Sequence, residues 1–74
     1  MVIEVRLFAT FRINRFKIKR IEVPEGAICK ELLDIVGIDH NDVSILMING
    51  IHSNVLDKLK DKDIVSLFPP VGGG

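Results

Sequence analysis

Ile28-Cys29-Lys30-Glu31-Leu32-Leu33-Asp34-Ile35-Val36-Gly37-Ile38 is the stretch on which the fold turns. Ile28, Leu32, Ile35 and Val36 recur at i, i+4, i+7 and i+8, with Lys30, Glu31 and Asp34 on the opposite side. That spacing predicts one amphipathic helix. Its stop is well marked, because Gly37 suits a left-handed C-cap and Ile38 can fold back on Leu33. Its start is not: Ala27 or Ile28 stands where Ser, Thr or Asp would cap, a deficit of about 0.5 to 2 kcal/mol. Cys29 falls in the first turn. A helix dipole could lower its pKa there, but a packed structural thiol is the expected state.

Strands flank the helix on both sides. Toward the N-terminus, Val2-Ile3-Glu4-Val5-Arg6-Leu7-Phe8 alternates with period two, placing Ile3, Val5 and Leu7 inward and Glu4, Arg6 and Phe8 outward. Residues 16–23 form a second strand in which Phe16 and Ile18 are even and Ile21 and Val23 odd. This switch predicts a bulge near Lys19-Arg20, or an inner face shared differently along the strand. The intervening residues 9–15 contain Asn14 but no Gly, so the turn type is open. Pro24-Glu25-Gly26 ends the second strand.

On the C-terminal side, residues 43–48 read as a third strand and Asn49-Gly50 as a tight hairpin turn, followed by a short return through residues 51–55. Residues 57–63 alternate acid and base around Leu59, as solvated turns do. Residues 64–68 make a last strand, which Pro69-Pro70 stops. Strand, strand, helix, strand, short strand and strand fit an α+β, ubiquitin-like β-grasp. In it a mixed sheet of four to five strands packs on one main helix, with first and last strands parallel. A ferredoxin-like half or an irregular α+β roll would also satisfy the pattern alone.

The composition is consistent with one small soluble domain: 74 residues, ten basic against ten acidic side chains and one Cys. A chain of this size buries only about 60% of its unfolded surface, so any catalytic cleft would have to be shared with a partner. One Cys forms no internal disulfide, and neither a secretory leader nor a long apolar run is evident. A cytoplasmic protein, monomeric when free, with no membrane and no nucleic-acid partner, is expected. No phosphate-binding loop, nucleophile elbow or paired metal-spaced Cys occurs. His40 and His52 stand alone, so no metal site and no bound cofactor are expected.

What stands out is the end, Leu67-Phe68-Pro69-Pro70-Val71-Gly72-Gly73-Gly74. The division expected is a domain of residues 1–68 and a flexible tail of residues 69–74. The stiff Pro69-Pro70 would aim the tail away from the body. Gly72, Gly73 and Gly74 carry no side chain to clash in a narrow channel.

The block Asp61-Lys62-Asp63-Ile64-Val65-Ser66-Leu67-Phe68-Pro69-Pro70-Val71-Gly72-Gly73-Gly74 resembles the ending of the small subunit of molybdopterin synthase and related sulfur carriers of the MoaD/ThiS family. Leu7-Phe8-Ala9, Val23-Pro24-Glu25-Gly26-Ala27 and Ile48-Asn49-Gly50 extend the resemblance over nearly the whole chain. It implies that an activating enzyme of the ubiquitin-activating type spends ATP to adenylate the Gly74 carboxylate, which is then converted to a thiocarboxylate. The tail, Pro69 to Gly74, would enter a large subunit that catalyses sulfur transfer for molybdenum or tungsten cofactor synthesis. The chain itself would be a carrier and not an enzyme. The resemblance also leaves a ubiquitin-like protein modifier joined through Gly74, or a sulfur carrier for thiamine thiazole synthesis.

Partner docking is expected on the sheet face opposite the helix. Alternation puts Phe8 there, and counting from inward Val65 and Leu67 adds Phe68. Met47 belongs with them if it faces outward, which the continuous apolar run leaves open. His52 falls where the family's docking patch has an aliphatic residue, and Gly72 where molybdopterin synthase subunits often carry a larger one. Both departures bear on which partner is bound.

Overall fold

The computed structural model describes residues 1–71. Strands β1 (Val2–Leu7) and β2 (Ile18–Glu22) precede helix α1 (Cys29–Val36); β3 (Ile45–Ile48), β4 (Ile51–His52) and β5 (Ile64–Phe68) follow it. The five strands form one sheet in the order β2-β1-β5-β3-β4. β1 and β5 are parallel at its centre, and the other neighbours are antiparallel. A parallel pair needs a crossover, and α1 lies within it. This is the β-grasp.

The inner face holds Ile3, Val5, Leu7, Val65 and Leu67, all fully buried, against Cys29, Leu32 and Leu33 of α1. The buried helical stripe differs from the one the sequence predicts. Ile28 is an extended N-cap (φ −99°, ψ 165°) and so does not share the helix's phase. The stripe in contact is 29, 32, 33 and 36, leaving Ile35 52% exposed. The missing cap is made up from elsewhere in the chain. Cys29 N–H donates to the Asp57 carbonyl (3.0 Å) and Lys30 N–H to that of Val55 (2.8 Å). Glu31 reaches back to accept from Ile28 N–H at 3.4 Å. At the other end Gly37 is left-handed (φ 83°), and the N–H groups of Gly37 and Ile38 both donate to the Leu33 carbonyl.

The expected bulge is absent: β1 and β2 pair without interruption from Val2↔Glu22 to Arg6↔Ile18. Phe16 lies before β2 and packs on the core from the loop, while Ile18 points outward and is exposed. The parity switch therefore reflects Phe16, which lies outside the strand, and Ile18, an apolar residue on the outward face. The β1–β2 connection contains a 3-10 turn, Ala9–Arg12, whose Phe11 plugs the end of the core. Ala9 (φ 52°) and Asn14 (φ 57°) supply the left-handed turns that Gly would otherwise make.

Residues 57–63 are largely the solvated turn their charges suggest, with Lys58, Lys60, Asp61 and Lys62 exposed, but two of them fold inward. Leu59 is buried in the core and Asp63 is buried beside it. Asp63 accepts from the Asn49 side-chain amide (2.9 Å) and from Lys60 N–H (2.7 Å). Asn49 and Gly50 both have positive φ, the type I′ hairpin expected of Asn-Gly. The Asn49 oxygen also accepts from Ile64 N–H, and Asp61 accepts from Val2 N–H. The segment thus ties the hairpin and β1 to the start of β5.

Candidate functional site: the open sheet face and the base of the tail

With α1 on one side, the other face of the sheet is built from the alternate residues. The register aligns Arg6, Ser66, Met47 and His52 in one row across β1, β5, β3 and β4, and pairs Phe68 with Ile45 in the next. Phe8, one residue past β1, stacks on Phe68 with ring centroids 4.2 Å apart and planes 14° apart. The Arg12 guanidinium lies 5.3 Å from the Phe8 ring centroid, and its Nε donates to the Leu7 carbonyl at 2.7 Å. The result is an ordered apolar patch capped by a cation. A stacked aromatic pair contributes about 0.5 to 1.5 kcal/mol beyond burial, which fixes both rings while leaving them half-buried.

Phe8, Phe68, Met47 and His52, the four expected docking residues, all fall on this face. The sequence reading missed Ile45, Phe68's cross-strand neighbour. The signal was available: once Asn49-Gly50 fixes the hairpin, Leu46 inward requires Ile45 and Met47 outward.

The tail starts at the edge of this patch. Ser44 N–H donates to the Phe68 carbonyl at 2.8 Å, the last ladder bond on β5. Pro69 and Pro70 have no N–H with which to continue it. With Ala9, Thr10, Ser44 and Ile45, Pro69 to Val71 line a shallow groove. Val71 is 92% exposed. Gly72, Gly73 and Gly74, the expected reactive end, lie outside the described residues.

Other candidates are elsewhere. His40 is exposed beside Asp39, whose carboxylate is 3.8 Å from Nδ1, far along the chain from His52 on β4. Among the described residues no group of three or more His, Cys, Asp or Glu could hold a metal ion. Cys29 is fully buried. Burial, and then the carboxylates of Asp57 and Asp63, push its thiol up to about 11, so it stays protonated at neutral pH and is a packing residue. Among the described residues no helix is long and apolar enough to cross a membrane.

A helix gripped by a mixed sheet, with a last central strand that runs straight out into a tail, defines a ubiquitin-like β-grasp protein. The sequence model of the ThiS family matches residues 5–74, and the chain belongs to that family of ubiquitin-like sulfur carriers. A putative molybdopterin converting factor subunit 1 from Pyrococcus furiosus is 30% identical over 96% of this chain and 99% of its own (TM-score 0.80). Subunit 1 in the complex of subunits 1 and 2 of the molybdopterin-converting factor from Helicobacter pylori is 30% identical over both full chains (TM-score 0.68). SAMP1 from Haloferax volcanii shares the fold at 24% identity over both full chains (TM-score 0.82). A search of curated proteins found no match.

Proposed function

We propose that this chain is the sulfur-carrying small subunit of a molybdopterin synthase, with residues 69–74 as its working tail. The observation that carries the reading is the tail's point of departure: β5 releases Pro69 beside the stacked Phe8–Phe68 pair. A partner seated on that patch would receive the tail directly. The likeness to a subunit 1 whose structure was solved together with subunit 2 supports a large-subunit partner for this face.

The chemistry follows from what a carboxylate lacks. It is a poor acyl donor until given a leaving group, so an activating enzyme first joins the Gly74 carboxylate to the AMP portion of ATP, releasing pyrophosphate. Persulfide sulfur then attacks the acyl carbon and expels AMP. A thiol opens the resulting acyl disulfide, leaving a terminal thiocarboxylate and a new disulfide. The thiocarboxylate is ionised at neutral pH and is a soft nucleophile toward the pterin precursor. On this reading the chain binds no cofactor, works in the cytoplasm and leaves catalysis to its partners.

Intact mass spectrometry after incubation with an activating enzyme of this family, ATP and a persulfide donor tests the proposal. A gain of about 16 Da, sulfur for oxygen, that disappears when Gly74 is deleted is expected. No gain with a competent enzyme would overturn it, and isopeptide-linked adducts on lysines in its place would make the chain a modifier. Sulfur transfer to a thiazole precursor but not to a pterin would move it to thiamine synthesis.

A further inference from the structure

A second surface lies along the β2 side of the sheet, with β1 between it and the tail-bearing β5. β2 is an edge strand. The Leu7 N–H bonds the Lys17 carbonyl and Val23 N–H bonds that of Met1, so the odd residues of this strand turn their backbone groups toward β1. With that register, the N–H and C=O groups of Ile18, Arg20 and Glu22 point along the free edge. Beside that edge a groove runs between β2 and α1. Its floor is apolar: Phe16, Ile21, Ile35 and Val36. Ile35, the helix residue that the core leaves out, is half exposed there.

The rim is basic. Arg15, Lys19 and Arg20 line the groove against one acid, Glu22. Lys19 holds its ammonium 5.8 Å over the Phe16 ring, and Arg15 is pinned by its bond to the Gly37 carbonyl at 3.0 Å. This concentration of charge occurs in a chain whose formal net charge is zero. Pairing with a second copy through β2 would bring Lys17, Lys19 and Arg20 of both chains together, which like-charge repulsion disfavours.

We propose that β2 and α1 form a docking site for an extended segment of another protein, apolar at alternate positions and flanked by Asp or Glu. The segment adds to the sheet as a sixth strand. Its backbone pairs with Ile18, Arg20 and Glu22, its apolar side chains rest on Phe16, Ile21 and Ile35, and its acids face the basic rim. Such a partner would leave the Phe8–Phe68 face free, so both surfaces could be occupied together. The inference is independent of the chemistry at Gly74.

The test is a titration of the isotope-labelled full chain, followed by NMR, with a capped peptide of about twelve residues: alternating Val and Ile flanked by Asp and Glu. Binding should slow amide hydrogen exchange at Ile18, Arg20 and Glu22 by about tenfold or more at saturation. Lys19→Glu and Ile35→Asp, both at exposed positions, should each weaken binding by about tenfold while leaving distant resonances in place. Phe68→Ala should leave it unchanged. Absence of saturable shifts, unslowed exchange at those three amides, equal binding of a Lys-flanked peptide, or shifts confined to the Phe8–Phe68 face would each overturn the proposal.

Discussion

Val65 and Leu67 of β5 are completely buried beneath α1, whereas Ser66 and Phe68 on the same strand remain partly open on the other face. One short strand therefore contributes to two different tasks, divided residue by residue. The closed side supplies the stability of a domain with room for one core. The open side carries its apolar area where a partner can reach it. What holds the two together is polar: Asp63, Asn49 and Asp61 fasten the start of β5, while its end is left to run out through Pro69-Pro70.

The sharpest way to break this contrast is to truncate neighbours on opposite faces. Leu67→Ala should cost about 2 to 5 kcal/mol, a large share of the about 4 to 11 kcal/mol expected for 74 residues. Urea denaturation should show it as a strongly lowered midpoint. Phe68→Ala should cost much less stability, about 1 to 2 kcal/mol from the lost stack and partial burial. Isothermal titration with the large subunit proposed as its partner should show the reverse ranking, with Phe68→Ala losing about 2 kcal/mol or more of binding. Equal damage to stability from both variants would mean that the open face is part of the core.

Cys29 sharpens the same contrast from the closed side. Its thiol is raised from 9.0 in the open chain to about 11 in the fold. The unfolded chain therefore loses this proton first. The associated stability is complete below pH 9, declines as pH rises and is gone above about 11, a difference of up to about 2 to 3 kcal/mol. Denaturation at pH 8 and pH 11 should show a steeper loss for the native sequence than for Cys29→Ala. Iodoacetamide at pH 8 should label Cys29 only as the protein unfolds.

At the fastening between the sides, Asp63→Ala removes the acceptor for Asn49 and Lys60 and should cost about 1 to 3 kcal/mol. Hydrogen exchange should locate the loosening at the β3–β4 hairpin and the start of β5. The smallest effect is expected at Ala9, held at φ 52° next to Phe8. Ala9→Gly relieves about 1 to 2 kcal/mol of backbone strain but gives back about 0.5 to 1 through chain entropy. Its melting temperature should rise slightly or not at all.

Much of this was legible in the residues. Alternation placed Ile3, Val5, Leu7, Val65 and Leu67 inward and Phe8 and Phe68 outward, and Gly37 and Asn49-Gly50 marked their turns correctly. Ile45 was missed because residues 45–48 are apolar throughout, so composition gave no period to read there. The clasp at 57–63 was missed because charged residues at the surface and charged residues folded inward to accept backbone N–H groups have the same composition.

By itself the sequence determined the period of β1 and β5, the turns at Gly37 and Asn49-Gly50 and the glycine-ended segment that follows the last strand. These are set within a few residues, by side-chain shape and backbone sterics. The tertiary structure decided which helical stripe is buried, since Ile28 leaves the helix phase and hands the core to Cys29, Leu32 and Leu33. It decided how an uncapped helix starts, by bringing the carbonyls of Val55 and Asp57 to the N–H groups of Lys30 and Cys29. It also set the Phe8 ring on Phe68 and opened the basic groove beside β2. Each of these joins groups distant in the chain, and local preference carries no information about which distant group will arrive.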